Sequence, residues 1–200
     1  VPLLETGITL QTRLAILNHM QQFNRLGQVL PALMDHIEAP DAPPRPEALE
    51  RAFHAAWLRQ DAGVLTRLVD RCLTLERPLP GPVRFARERE SIFPDLSRLI
   101  AAAAEWLDRQ SFPDMPEAED YTTIAPAARL AALVGQGARG IGWLRPLVVR
   151  HPFLVRERLV LAELLVQEGE IAAAEAELDI VLAEAPHLSR GYQLRYEILS

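Results

Sequence analysis

The chain has 200 residues, 49% of them hydrophobic, which suits one domain or one continuous array of helices and excludes disorder as the default. Its formal net charge is −6 and its pI about 5.4, the wrong sign for a general nucleic-acid binder, whose affinity rests on neutralising phosphates. A single cysteine, Cys72, excludes an intrachain disulfide and a cysteine-built metal cluster, and no run reaches the roughly 18 apolar residues that a membrane span needs.

Ala, Leu, Glu and Arg dominate, the composition of helices, and no alternating apolar/polar stretch points to a strand. Lysine is absent; all 21 basic residues are arginine, as a GC-rich, bacterial coding sequence would give. Along the chain, Leu10, Leu14 and Leu17 recur at helical spacing behind Thr9, a candidate N-cap. Leu26, Val29, Leu30, Leu33, Met34 and Ile37 form an i, i+3, i+4, i+7 stripe, with Pro31 predicting a kink or a late helix start. The first proline linker, near 40–46, ends that pattern. A helix carrying Phe53, Ala56 and Trp57 then starts near Pro46, and Asp61 is placed to cap the next, which holds Leu65, Leu68, Val69, Cys72 and Leu73. After a second linker near 78–82, a short helix covers Pro82 to Ser91, where Arg84, Arg87 and Arg89 alternate with Glu88 and Glu90 as on a solvated face. Another helix opens near Pro94 and runs through Leu96, Leu99, Ile100, Ala103, Trp106 and Leu107. A third linker near 112–116, followed by acidic Glu117, Glu119 and Asp120, leads into five further helices from Ile124.

Those last helices repeat. Displaced by 34 residues, Ala128 falls on Ala162, Gly135 on Gly169, Leu144 on Leu178, Pro152 on Pro186 and Arg156 on Arg190. Each period holds two small residues 12 apart, Ala128 with Gly140 and Ala162 with Ala174. Small side chains let paired helices cross closely, while Gly135 and Gly169 allow a tight turn with positive φ. This pattern resembles the tetratricopeptide repeat (TPR) family over residues 121–200, as repeats 121–154 and 155–188 and a partial 189–200. Ala15 and Gly27 repeat the spacing weakly near the N-terminus, and residues 1–120 are otherwise a divergent helical-hairpin region. The family's aromatic positions are mostly aliphatic here, at Ile124, Ala127 and Ala131 and at Leu161 and Leu165. The resemblance implies an all-α, right-handed α-solenoid of about 10–11 helices in antiparallel pairs.

The same sequence offers little that points to chemistry. Gly135-Gln-Gly137-Ala-Arg-Gly140 fits G-x-G-x-x-G but follows a helical pattern rather than a strand, so the inter-helix turn accounts for it. No two of His19, His36, His54, His151 and His187 lie at i+3 or i+4, and Asp35, His36 and Glu38 read as a helix end rather than metal ligands. Trp57, Trp106 and Trp143 fall on apolar stripes, as core residues do. The expectation is a protein with no catalytic residue, metal or cofactor.

The TPR resemblance implies a protein or peptide partner held on a concave face lined by the first helix of each pair. The matching positions are Arg129, Arg156, Leu159, Glu163, Val166, Arg190 and Gln193, with Arg156 and Arg190 one repeat apart and suited to an acidic or carboxylate-bearing peptide. The alternative is a helical appendage of a larger enzyme or of a secretion or membrane component. The apolar C-terminal helix with Tyr192, Leu194, Tyr196, Ile198 and Leu199 reads as an imperfect cap, as the start of a continuing array, or as a face that a partner covers, self-association included. The chain opens on Val1 rather than Met, as a processed chain or a fragment of a longer protein would, so the sequence does not fix the compartment; a cytoplasmic location is favoured, or a periplasmic one if a leader was removed.

Overall fold

The computed structural model describes Arg25, residues 28–39 and residues 44–199. The protein is all-α. Ten α-helices lie among the described residues: α1 (28–38), α2 (Pro46–Leu58), α3 (Ala62–Leu73), α4 (Pro80–Arg89), α5 (Ser97–Asp108), α6 (Tyr121–Leu133), α7 (Gly137–Arg150), α8 (Val155–Gln167), α9 (Ile171–Glu184) and α10 (Ser189–Leu199). Short 3₁₀ turns at Pro94–Leu96 and Ala118–Asp120 lead into α5 and α6. The helix expected behind Thr9, Leu26 of the stripe and the Ala15–Gly27 spacing lie outside the described residues. The chain divides into two compact units, Val1–Leu75 and Glu76–Ser200. Residues 76–120 therefore group with the repeats, from which the sequence reading set them apart.

In the first unit, α1 is helical on both sides of Pro31 and buries Leu30, Met34 and Ile37, while Val29 faces outward. Arg71 of α3 reaches the end of α1, its Nε donating to the Ile37 carbonyl at 2.8 Å and its Nη2 to the Ala39 carbonyl at 3.2 Å. Carbonyls at a helix end otherwise lack intrahelical donors. Asp61 caps α3 as expected, its Oδ1 accepting from the Val64 amide at 3.0 Å.

The α2–α3 turn has an unexpected residue in it. The Gln60 amide donates to the Trp57 carbonyl at 2.9 Å and the Asp61 amide to the Ala56 carbonyl at 3.0 Å, the two bonds of a Schellman stop. That stop places Gln60 at φ 55°, the left-handed region. There a side chain costs roughly 1–2 kcal/mol that glycine avoids. Gln60→Gly should therefore raise stability by about 1 kcal/mol, read as a higher melting temperature; an unchanged or lower one would contradict the assignment.

In the second unit the helix boundaries themselves repeat. α6 and α8 start at 121 and 155, α7 and α9 at 137 and 171, and α10 at 189, so each is displaced by 34 residues from its counterpart. The turns repeat bond for bond. Gly135 and Gly169 both sit at φ +80°. Their amides donate to Ala132 and Val166 at 3.1 Å, and the amides of Gln136 and Glu170 reach back to Ala131 and Leu165 at 2.7 and 2.8 Å. This is the stop used at Gln60, with the residue that the backbone prefers.

The small positions do what their spacing predicts. A methyl added at Gly140 would stand 2.8 Å from the Ala128 carbonyl oxygen and 3.1 Å from its Cα. Ala162 and Ala174 are both fully buried in the next pair. Leu144 shares a core with Val160, Leu161 and Leu164 of α8, and Leu178 shares one with Leu194 of α10. Each helix from α4 to α10 packs on a neighbour in sequence. α4 also touches α6, α6 touches α8, and α8 touches α10.

Two interior prolines are accommodated. Pro126, within α6, has no amide to offer the Thr122 carbonyl, and Arg77 Nη1 donates to it instead at 3.4 Å. Pro146 lies within α7. The third linker is not a free loop but is fastened along α7. Arg139 Nη2 donates to the Gln110 carbonyl at 3.1 Å, Phe112 sets its edge on Trp143 at 4.9 Å, and His151 Nε2 bonds the Pro116 carbonyl at 3.0 Å. The acidic residues finish the strap. Glu117 and Asp120 form a reciprocal capping box, and Glu117 also pairs with Arg150 at 2.9 Å.

Among the described residues of this unit, one charged group is buried. Arg158 of α8 is 6% exposed; its Nη1 bonds Glu177 of α9, its Nη2 donates to the Val148 carbonyl of α7 at 2.8 Å, and its Nε has no partner. It ties three consecutive helices. The same position is Ile124 in α6.

Candidate interaction cleft

Ile124, Ala127, Ala128, Leu130 and Ala131 of α6 turn into the core. Arg129 falls outside that set and is exposed. One repeat later Glu163 occupies the same place on α8, and is half-buried. Between these helices, with α4 and α10 on either side, opens a cleft of about 290 Å³. Its wall is formed by Arg84, Arg129, Ala132, Leu133, Glu163, Leu164, Gln167 and Arg190.

The charges in the cleft are unequally satisfied. Arg190 donates from Nε to Glu163 and from Nη1 to Glu197, each at 2.8 Å. The Glu163 hydrogen bond, then that of Glu197, raises the Arg190 pKa. Arg84 and Arg129 make no hydrogen bond or ion pair among the described residues. Three guanidinium groups and one carboxylate thus face the cleft in a chain whose net charge is −6.

Of the residues expected on the groove, Arg129, Glu163 and Arg190 meet in this cleft. Arg156 does not. It lines a separate hollow of about 450 Å³ with Tyr121, Phe153, His187 and Leu188, so Arg156 and Arg190 face different spaces despite their equivalent positions. Leu159 is 8% exposed and belongs to the core with Ala162, Leu178, Val181 and Leu194; it holds helices together rather than lining the cleft. Val166 is half-buried against the same core, and Gln193 is exposed on α10 but lines neither hollow.

Arg84 and Gln167 are cleft residues that the sequence reading missed. Arg84 looked like one of three solvated arginines. Arg87 does pair with Glu90 at 2.9 Å, and Arg89 pairs with Glu88 and lies over Phe85 at 4.4 Å. Glu88, four residues beyond Arg84, is thereby taken by Arg89, and nothing in the local spacing tells which arginine is left over.

Cys72 is buried, and burial pushes its thiol up to about 12, so it is protonated and a poor nucleophile near neutral pH. Glu38 pairs with Arg67 at 3.1 Å, and among the described residues no group of His, Cys, Asp and Glu is arranged to hold a metal ion. Trp57, Trp106 and Trp143 are half-buried, with the Arg139 guanidinium 4.8 Å from the centre of the Trp143 ring. No helix among the described residues is long and apolar enough to cross a membrane. Comparison with family models, curated proteins and solved structures finds no match to this chain.

Proposed function

We propose that this chain is a protein-interaction scaffold, a TPR-like α-solenoid that holds a peptide or protein segment on the face formed by α4, α6, α8 and α10. The observation that carries this reading is the 34-residue recurrence of helix boundaries and turn hydrogen bonds in α6–α7 and α8–α9, with Gly140 set against Ala128. Stacked pairs of that kind bring successive first helices side by side, and repeat proteins commonly use such a surface for binding. A further support is that the cleft lies across those helices and carries arginines with no internal partner. Aligned donors of fixed fork geometry suit carboxylates. The role needs no catalytic group.

A photo-cross-linking amino acid at Gln167, on the cleft wall, should capture a defined partner from an extract of the native host. The same group at Glu175, exposed on α9, should not capture it. Equal capture at both positions would remove the reading.

A further inference from the structure

The 34-residue register breaks at one place in α10. Ala128 of α6 and Ala162 of α8 are small and fully buried. At Ala128 a second helix crosses so closely that a methyl added to Gly140 would stand 2.8 Å from the Ala128 carbonyl oxygen. The residue at the same place in α10 is Tyr196, whose ring closes a crossing of that kind. Tyr192 and Leu199 stand four residues before it and three after, on the same side of the helix, and all three are more than half exposed. The opposite side is occupied, with Gly191 and Leu194 buried.

The charges around this stripe are neutralised within the chain. α10 carries three: Arg190 is bonded to Glu163 and Glu197, and Arg195 to Asp179 of α9. A partner that docks by charge finds nothing to hold there, and both arginines are already engaged before an anionic membrane surface could use them. A second copy fits better. Each chain has a net charge of −6, yet on α10 every charge is already paired, so two such faces meet without repulsion between unpaired groups. Tyrosines suit the contact, having large apolar rings and a hydroxyl that stays wet.

We propose that two copies of this chain meet at this stripe, α10 against α10, across a twofold axis centred on Tyr196. A twofold contact sets one patch against itself, so the middle residue of the stripe faces its own copy and the rings stack. The three side chains leave about 350 Å² open on each copy, against about 800 Å² per partner in a standard stable interface. The dimer is therefore weak, with a dissociation constant of about 0.1 mM. This goes beyond the scaffold reading and does not depend on what the cleft holds.

Analytical ultracentrifugation of the full chain, at concentrations spanning about a hundredfold around that value, should show the mass rising from one copy to two and stopping there. Tyr196→Arg and Tyr196→Glu should each weaken association about tenfold or more, because like charges then face each other across the axis. Mixed in equal amounts, the two variants should associate again, since Arg then faces Glu. Leu199→Ser, at the edge of the stripe, should weaken it about threefold. Ala138→Arg, exposed on α7, should leave it unchanged. Circular dichroism checks that the variants keep their helices.

A chain that stays monomeric throughout leaves this face to a different partner and overturns the proposal. Growth beyond two copies does the same, because a closed twofold contact forbids it. So do association that ignores the Tyr196 and Leu199 changes, an equal loss in Ala138→Arg, and mixed variants that stay apart. Capture at Gln167 reports on the cleft alone, so the dimer and the scaffold reading stand or fall separately.

Discussion

Gly140→Ala should destabilise the protein by about 1–3 kcal/mol, the range for overpacking a tight interior, even though alanine is the better helix former by about 1 kcal/mol. The added methyl would meet the Ala128 carbonyl oxygen at 2.8 Å, the Ala128 Cα at 3.1 Å and Leu164 Cδ1 at 3.2 Å. Two of those three are backbone atoms, which move only if α6 and α7 separate. Gly142, two residues on in the same helix, supplies the control, because nothing lies within 4 Å of a methyl built there. Gly142→Ala should therefore gain about 1 kcal/mol from helix propensity alone. Urea unfolding of the two variants reads the difference directly. Shifts of the same sign would mean that the close crossing of α6 and α7 is wrong.

Glu177→Ala should be the more damaging way to break the buried ion pair, at about 3–5 kcal/mol. It strands the Arg158 guanidinium, whose side chain is 7% exposed and whose Nε already lacks a partner, with only the Val148 carbonyl to donate to. Arg158→Met should cost less, about 1–2 kcal/mol, because Met fills similar space and the Glu177 side chain, 21% exposed, reaches water. Changing both to apolar residues should recover much of the Glu177→Ala loss, since no buried charge then remains. Equal costs for the two single changes would show that burial does not set the asymmetry.

The recurrence was readable because it rests on steric necessity. Only small residues permit the approach seen at Gly140, and glycine is favoured at the +80° φ of Gly135 and Gly169, so both features appear in the sequence at fixed spacing. The α2–α3 turn uses the same stop with Gln60, a residue that tolerates the strain without advertising it. That α4 and α5, both expected as helices, belong with α6–α10 was not legible for a different reason. The chain between them passes through a 3₁₀ turn at Pro94–Leu96, so no glycine marks it, although α4 and α5 both contact α6.

Cleft membership was harder to read. α8 buries Leu159, Val160, Leu161, Leu164 and Leu165, nearly all round, and such a helix offers no clean polar face from which to tell groove from core. Arg158 hides in the same helix, where sequence alone gives an arginine no reason to be inside. Arg84 was lost in a run of alternating charges whose pairing only the fold decides.

The last helix differs from its counterparts in what covers it. Ile124, Ala128 and Ala131 in α6, and Arg158, Ala162 and Leu165 in α8, are all buried, whereas Tyr192, Tyr196 and Leu199 at the matching places in α10 are 51%, 74% and 74% exposed. Where each helix leans mainly on its neighbours, stability adds up junction by junction. With those three side chains exposed, α10 of this chain is expected to open before α6 to α9, so that hydrogen exchange should find its amides the less protected.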